Sequence, residues 1–118
     1  MAKILVADDS RTSRRMLLDI IRGLEFDEII EATDGNDAVA KFSEHQPDVV
    51  TLDITMPGMD GIEVLKTIKA KNPNVKAVMI TAAAQSSKIM EAIKIGAEEF
   101  IAKPYEAAQV ETALKRLI

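Results

Sequence analysis

Five short apolar runs alternate along the chain with segments whose apolar residues return every three or four positions. Residues 4–7 (ILVA) form the first run, and its lack of polar alternation predicts a strand covered on both faces. Met16, Leu17, Ile20, Ile21 and Leu24 then trace the stripe of a helix that starts near Ser10 or Thr12 and ends close to Gly23. Residues 28–32 predict a second strand and Thr33-Asp34-Gly35-Asn36 a turn; Ala38, Val39 and Phe42 mark a short helix stopped before Gln46-Pro47. Residues 49–52 (VVTL) are β-branched and nearly all apolar, and deliver Asp53 at their end. The prolines and glycines of residues 54–61 predict a loop, and Ile62, Leu65 and Ile68 the inward side of a third helix that Asn72-Pro73-Asn74 ends. Residues 76–81 predict strand four, Ile89, Ala92, Ile93 and Gly96 the packed face of helix four, and residues 99–102 a short strand five. A last helix from about Ala107 carries Val110, Ala113, Leu114 and Leu117 inward.

Short strands separated by helical patterns of this length call for right-handed crossovers, and so for an α/β architecture with a parallel sheet sandwiched between helices. A ferredoxin-like arrangement would want four strands and two helices, and fits poorly. Strand order is invisible to periodicity. The pattern does show that Asp8, Asp9, Asp53, Thr81 and Lys103 all fall at the C-terminal ends of strands. In open α/β sheets that is the edge at which ligands bind.

Composition narrows the picture. The 118 residues predict one domain, 1–118, with no internal repeat, and 47% apolar against 29% charged residues excludes a disordered chain. Fifteen basic and nineteen acidic side chains leave a formal charge of −4, which supplies no general cationic field for nucleic acid or acidic lipid. The absence of cysteine removes disulfides, thiolate chemistry, zinc fingers and iron–sulfur clusters, so any site works with oxygen and nitrogen. The first apolar run meets Asp8-Asp9 before a signal peptide or membrane span could develop, and the expected location is cytoplasmic, with neither membrane nor nucleic-acid partners.

Asp8, Asp9 and Asp53 bring three carboxylates to one edge if their strands are neighbours. Like charges held together call for a proton or a cation, and oxygen ligands of this hardness suit Mg²⁺, which keeps several of its waters. Read singly, each aspartate could instead cap a helix or start a turn. Lys103, just before Pro104, can counter the carboxylates or pair with an anion, and the Thr81 hydroxyl can donate to one. Three carboxylates, one ammonium and a divalent cation sum to about zero, which leaves room for a dianionic phosphoryl group. His45, the only histidine, sits near the end of a surface helix, where it is expected to be solvated and phosphohistidine chemistry in cis has no supporting acid site, and Met16, Met79 and Met90 fall in apolar patterns that predict packing. No nucleotide-binding glycine signature, Walker lysine or nucleophile elbow is present.

With these residues in view, the chain resembles the receiver domain of two-component response regulators, in particular the single-domain chemotaxis type. The resemblance spans essentially the whole chain: Asp8-Asp9 after strand one, Asp53 in the segment LDITMPGMDG, Thr81-Ala82 after strand four and Lys103-Pro104 after strand five. It implies a flavodoxin-like (βα)5 three-layer sandwich with strand order 2-1-3-4-5 and a cis Lys103–Pro104 bond. It makes Asp53 the phosphoacceptor for a histidine kinase phosphohistidine, and Asp8, Asp9, Asp53 and the Thr55 backbone carbonyl the protein ligands of Mg²⁺. Thr81 and Lys103 would each hold a phosphoryl oxygen. The product would be a labile acyl phosphate, formed on the domain itself and then hydrolysed there, which describes a signalling protein rather than a turnover enzyme.

The family's switch aromatic falls on Phe100, and Tyr105 occupies a different position. Movement of Thr81 toward the phosphoryl group would let Phe100 fill the vacated space, biasing a surface of helix four, strand five and helix five that meets a motor-switch or phosphotransfer protein. A phosphatase would be a further partner. Thr55 and Ala83 occupy positions that tune the acyl-phosphate lifetime in the family, and Gln85 matches chemotaxis regulators of non-enteric bacteria. Arg11 falls near the edge where the kinase docks. Two alternatives remain open from the sequence: a phosphorelay carrier, and a receiver portion of a larger regulator. A haloacid-type phosphatase would want a second aspartate two residues after its nucleophile, where this chain has Thr55.

Overall fold

The computed structural model describes residues 2–82 and 86–118. Five strands and five helices alternate: β1 (Lys3–Ala7), α1 (Arg11–Ile21), β2 (Glu28–Ala32), α2 (Gly35–His45), β3 (Val49–Asp53), α3 (Gly61–Lys71), β4 (Lys76–Ala82), α4 (Ser86–Ile95), β5 (Glu99–Lys103) and α5 (Ala107–Lys115). All strand pairings are parallel and the order is β2-β1-β3-β4-β5. This is the doubly wound architecture with the expected order, its switch point between β1 and β3.

The period-two alternation of the strands divides the core. Leu5 and Ala7 of β1, with Val50 and Leu52 of β3, face the cluster built by Ala38 and Phe42 of α2, Ile62, Leu65 and Ile68 of α3 and Ala92 of α4. Ile4, Val6 and Val49 face the other way, toward Leu17, Leu18 and Ile21 of α1 and Val110, Ala113 and Leu114 of α5. The central strand β3 is buried at every position, as its nearly all-apolar sequence predicts, whereas β2 and β5 at the sheet edges show partial exposure.

Local chemistry starts the helices. Ser10, Asp34 and Asp60 accept from the backbone N–H of Ser13, Asp37 and Glu63, and Glu106 forms a capping box with Gln109. The Asp34 cap corrects one expectation: Gly35 and Asn36 belong to the first turn of α2, not to the turn before it. Gly35 is required by close approach, since a Cβ there would collide with the Met59 backbone carbonyl; Gly61 likewise meets the carbonyl of Asp53. These contacts seat the β3–α3 loop, which donates from Gly61 N to Ile54 O at 2.8 Å, directly beside the end of β3.

Four packing expectations are overturned. Met16, Met90 and Ile93 are 52%, 59% and 50% exposed, while Met79 is fully buried. Each helical residue turns the chain by about 100°, so Met16 falls beside the buried face that Leu17, Leu18 and Ile21 define, and Ile93 falls beside the one set by Ala92. Gly96 is likewise not part of a packed face but exposed, ending α4 with a φ of 113° and donating to the Ala92 carbonyl. The Lys103–Pro104 peptide bond is cis, as the resemblance implied. Ala83 and Gln85 lie outside the described residues. Among the described residues no helix is long and apolar enough to cross a membrane.

Candidate functional site

Parallel pairing of β1, β3, β4 and β5 brings the ends of four strands into one row. Ala7 pairs with Leu52, Asp53 with Ile80, and Ala82 with Lys103, so the residues that follow or close each strand meet at the carboxyl edge. Asp8 is fully buried there, Asp53 is 6% exposed and Asp9 is open to solvent. One carboxylate oxygen from each of the three lies within 4.8 Å of the others.

Lys103 Nζ lies 2.9 Å from Asp53 Oδ2 and 3.7 Å from Asp8 Oδ2, one cation set against two buried carboxylates. The other oxygens are held by the backbone: Asp53 Oδ1 accepts from Thr55 N at 3.1 Å and Asp8 Oδ1 from Ser10 N at 2.8 Å. Asp8 Oδ2 is buried with no hydrogen-bond partner. A carboxylate oxygen left in this condition costs several times what a neutral orphan costs.

The electrostatics follow from this crowding. Burial pushes the Asp8 carboxyl up, and although the Ser10 amide and Lys103 pull it back, the adjacent Asp53 adds to the rise. Burial works against the Lys103 ammonium, but its hydrogen bond to Asp53 and the charges of Asp53 and Asp8 outweigh that penalty and raise it. The Tyr105 hydroxyl is pushed up mainly by burial and likewise lacks a hydrogen-bond partner. An orphaned oxygen, three converging carboxylates and a single countering ammonium form an oxygen donor set that a hard divalent cation fits.

Thr81 and Phe100 both belong to the paired strands β4 and β5. Thr81 is 1% exposed, and its hydroxyl donates to the Ala82 carbonyl at 2.7 Å. Phe100, paired in register with Met79, is half-buried against the α2–α3–α4 side of the core and lines a groove between β5 and α5 with Ala102, Ala108 and Ala113. Thr55 is exposed, its N–H on Asp53. His45 stands away from the site, with Nδ1 3.5 Å from Glu28. Sequence reasoning missed Arg14, whose guanidinium reaches the backbone carbonyl of Asp8. A basic residue on the helix that begins just after an acidic pair was the available signal.

Comparison with known proteins agrees with this geometry. The family model described as "Response regulator receiver domain" matches residues 4–115. The chain belongs to the response regulator receiver family, the phosphorylation-switched signalling domains of two-component systems. Its relatives include the chemotaxis protein CheY of Listeria monocytogenes, 45% identical over 98% of both chains, and that of Bacillus subtilis, 42% identical over 98% of this chain and 97% of the other. Among solved structures, Vibrio cholerae CheY4 superposes with a TM-score of 0.91 at 29% identity, covering 100% of this chain and 99% of that one. CheY in a CheX–CheY–BeF3–Mg²⁺ complex from Borrelia burgdorferi does so with a TM-score of 0.91 at 36% identity, covering 98% and 87%. The assignment is to two-component signalling of the chemotaxis type, and these full-length matches do not favour the phosphorelay-carrier alternative.

Proposed function

We propose that Asp53 is the phosphoacceptor of a single receiver domain, residues 1–118, acting in the cytoplasm. The observation that carries this reading is the position of Asp53: nearly buried at the end of β3, bonded to Lys103 at 2.9 Å and converging with Asp8 and Asp9. An Asp53 oxygen attacks the phosphorus of a histidine kinase phosphohistidine; the P–N bond breaks, imidazole leaves, and an aspartyl phosphate forms. Asp8, Asp9, Asp53 and the Thr55 backbone carbonyl would hold Mg²⁺, which when bound supplies charge neutralisation for the transferring oxygens. Lys103 stays protonated, its value already raised, and pairs with a phosphoryl oxygen once Asp53 is phosphorylated.

The signal leaves through Thr81 and Phe100. In the resting chain the Thr81 hydroxyl is bonded to Ala82, and phosphorylation offers it a stronger, charged acceptor. Its departure leaves room for the half-buried Phe100 to turn inward, changing the α4–β5–α5 face. Exposed Met90 and Ile93 give α4 an apolar surface with which to meet a motor-switch or phosphotransfer protein. A phosphatase is the remaining partner, consistent with the CheX complex of the Borrelia relative.

The test is intact-protein mass spectrometry after incubation with acetyl phosphate. One phosphoryl group is expected with Mg²⁺, none with EDTA and none in Asp53→Asn. Equal labelling of the parent and Asp53→Asn would overturn the assignment.

A further inference from the structure

Arg14 lies behind the acidic pair on α1, with a side chain only 14% exposed. Its NH1 donates to the backbone carbonyl of Asp8 at 2.7 Å, while Nε donates to Glu31 Oε1 at 3.1 Å. Glu31 belongs to β2, the strand paired with β1, and its own carbonyl accepts from Lys41 of α2 at 3.1 Å. One planar guanidinium therefore ties together the end of β1, the start of α1 and the neighbouring strand, a task a single-point ammonium cannot reproduce.

What Arg14 grips is the turn that carries the acidic pair. Within that turn Ser10 N donates to Asp8 Oδ1 at 2.8 Å, and Ser10 O accepts from Arg14 N at 2.9 Å, so residues 8–10 are held from both ends. The restraint opposes a definite force. Three carboxylates within 4.8 Å repel one another, and Asp9, being exposed, has solvent to swing into. Arg14 meets this turn at the Asp8 backbone carbonyl, not at a carboxylate of the cluster. Its action is on the backbone.

We propose that Arg14, tied back by Glu31, is a positioning residue: it holds the Asp8–Asp9 turn so that the three carboxylates converge before a cation arrives, and thereby sets the affinity of the site for divalent cations. This rests on the reading of the cluster as a cation site. Groups that orient ligands from behind typically change metal affinity by about 10- to 100-fold when removed.

Calorimetric titration with Mg²⁺ of the parent, Arg14→Met, Arg14→Lys and Glu31→Gln tests it, with urea unfolding in EDTA run in parallel. Arg14→Met is expected to weaken Mg²⁺ binding about 10-fold, with Arg14→Lys and Glu31→Gln between it and the parent. Amide hydrogen exchange at Asp9 and Ser10 should quicken in EDTA in the same order. Parent-like affinity in folded Arg14→Met overturns the proposal even if stability falls, since that is the result of a brace alone. Should Arg14→Met fail to fold, parent-like affinity in both Arg14→Lys and Glu31→Gln overturns it instead. A parent that binds no Mg²⁺ at all overturns the cation reading, and this proposal with it.

Discussion

Two partly buried charge clusters among the described residues lie at opposite ends of the same sheet, and they are built on opposite principles. Near the amino-terminal edge Lys69 of α3 meets Glu98 in the α4–β5 loop at 2.6 Å; Lys69 also donates to the Val75 carbonyl, and the second Glu98 oxygen accepts from Ala77 N, both at 2.6 Å. One cation faces one anion, and both Glu98 oxygens have a partner. At the carboxyl edge three carboxylates converge, Lys103 pairs with two of them, and Asp8 Oδ2 has no hydrogen bond. The first cluster gains nothing from a further ligand, whereas the second is short of positive charge and of a donor. The difference lies in charge balance and in whether each oxygen is satisfied.

That contrast predicts separable consequences. The largest stability effect belongs to the balanced pair: Lys69→Met strands Glu98 among packed residues and is expected to cost about 2 kcal/mol, below the range for fully buried pairs because Glu98 keeps some solvent. Its Mg²⁺ affinity should stay within about 2-fold of the parent, since the residue belongs to the other end of the sheet. Urea unfolding and calorimetry on the same sample read both quantities, and a large drop in Mg²⁺ binding would show that the two ends are coupled.

Phe100→Ala comes next. With saturating Mg²⁺ and beryllofluoride the parent is expected to shift its two-state equilibrium by about 10-fold, equivalent to about 1.4 kcal/mol, and the variant by less than about 3-fold. Amide chemical shifts of α4 and β5 report the populations. The same shifts in parent and variant would locate the switch elsewhere and leave Phe100 as a packing residue.

The smallest effect has the most informative sign. Asp8→Asn keeps an oxygen for the Ser10 amide but removes a crowded charge, so without metal its stability at pH 7 should be unchanged or higher by about 1 kcal/mol. Because the folded-state value of Asp8 is raised, the folded parent binds the proton more tightly than the unfolded chain. That contribution is complete below the ordinary carboxylate value and is lost as pH climbs through the raised one, so any advantage of the variant should shrink as pH is lowered toward 4. Added Mg²⁺ should reverse the order by stabilising the parent alone. A metal-free loss greater than about 2 kcal/mol, measured by urea unfolding in EDTA, would show that repulsion is not the dominant force on Asp8.

Much of this architecture was legible along the chain because its signals are local. Nearly all-apolar runs such as VVTL in β3, capping residues such as Asp60, and stripes at helical spacing each report a choice made within a few residues, and the ends of the runs located Asp8, Asp9, Asp53, Thr81 and Lys103. Where the sequence misled, the deciding contact was distant. Met16 and Ile93 are apolar at plausible helical positions, yet exposure depends on which neighbouring elements cover that side of α1 and α4. Arg14 carries no motif; its importance comes from the Asp8 carbonyl and Glu31, which lies 17 positions further along the chain.

By itself, then, the sequence determined the alternation of strands and helices, the oxygen-and-nitrogen chemistry of the site and, through resemblance, the family to which that chemistry belongs. The tertiary structure decided the rest. Only pairing of β1 with β3, and of β4 with both β3 and β5, brings charges 45 to 95 positions apart together, so that Lys103 lies against Asp53 while Asp8 Oδ2 goes without a hydrogen bond. Local preference is written in neighbouring residues, but the balance of a buried cluster is a sum over groups that the chain joins only by folding.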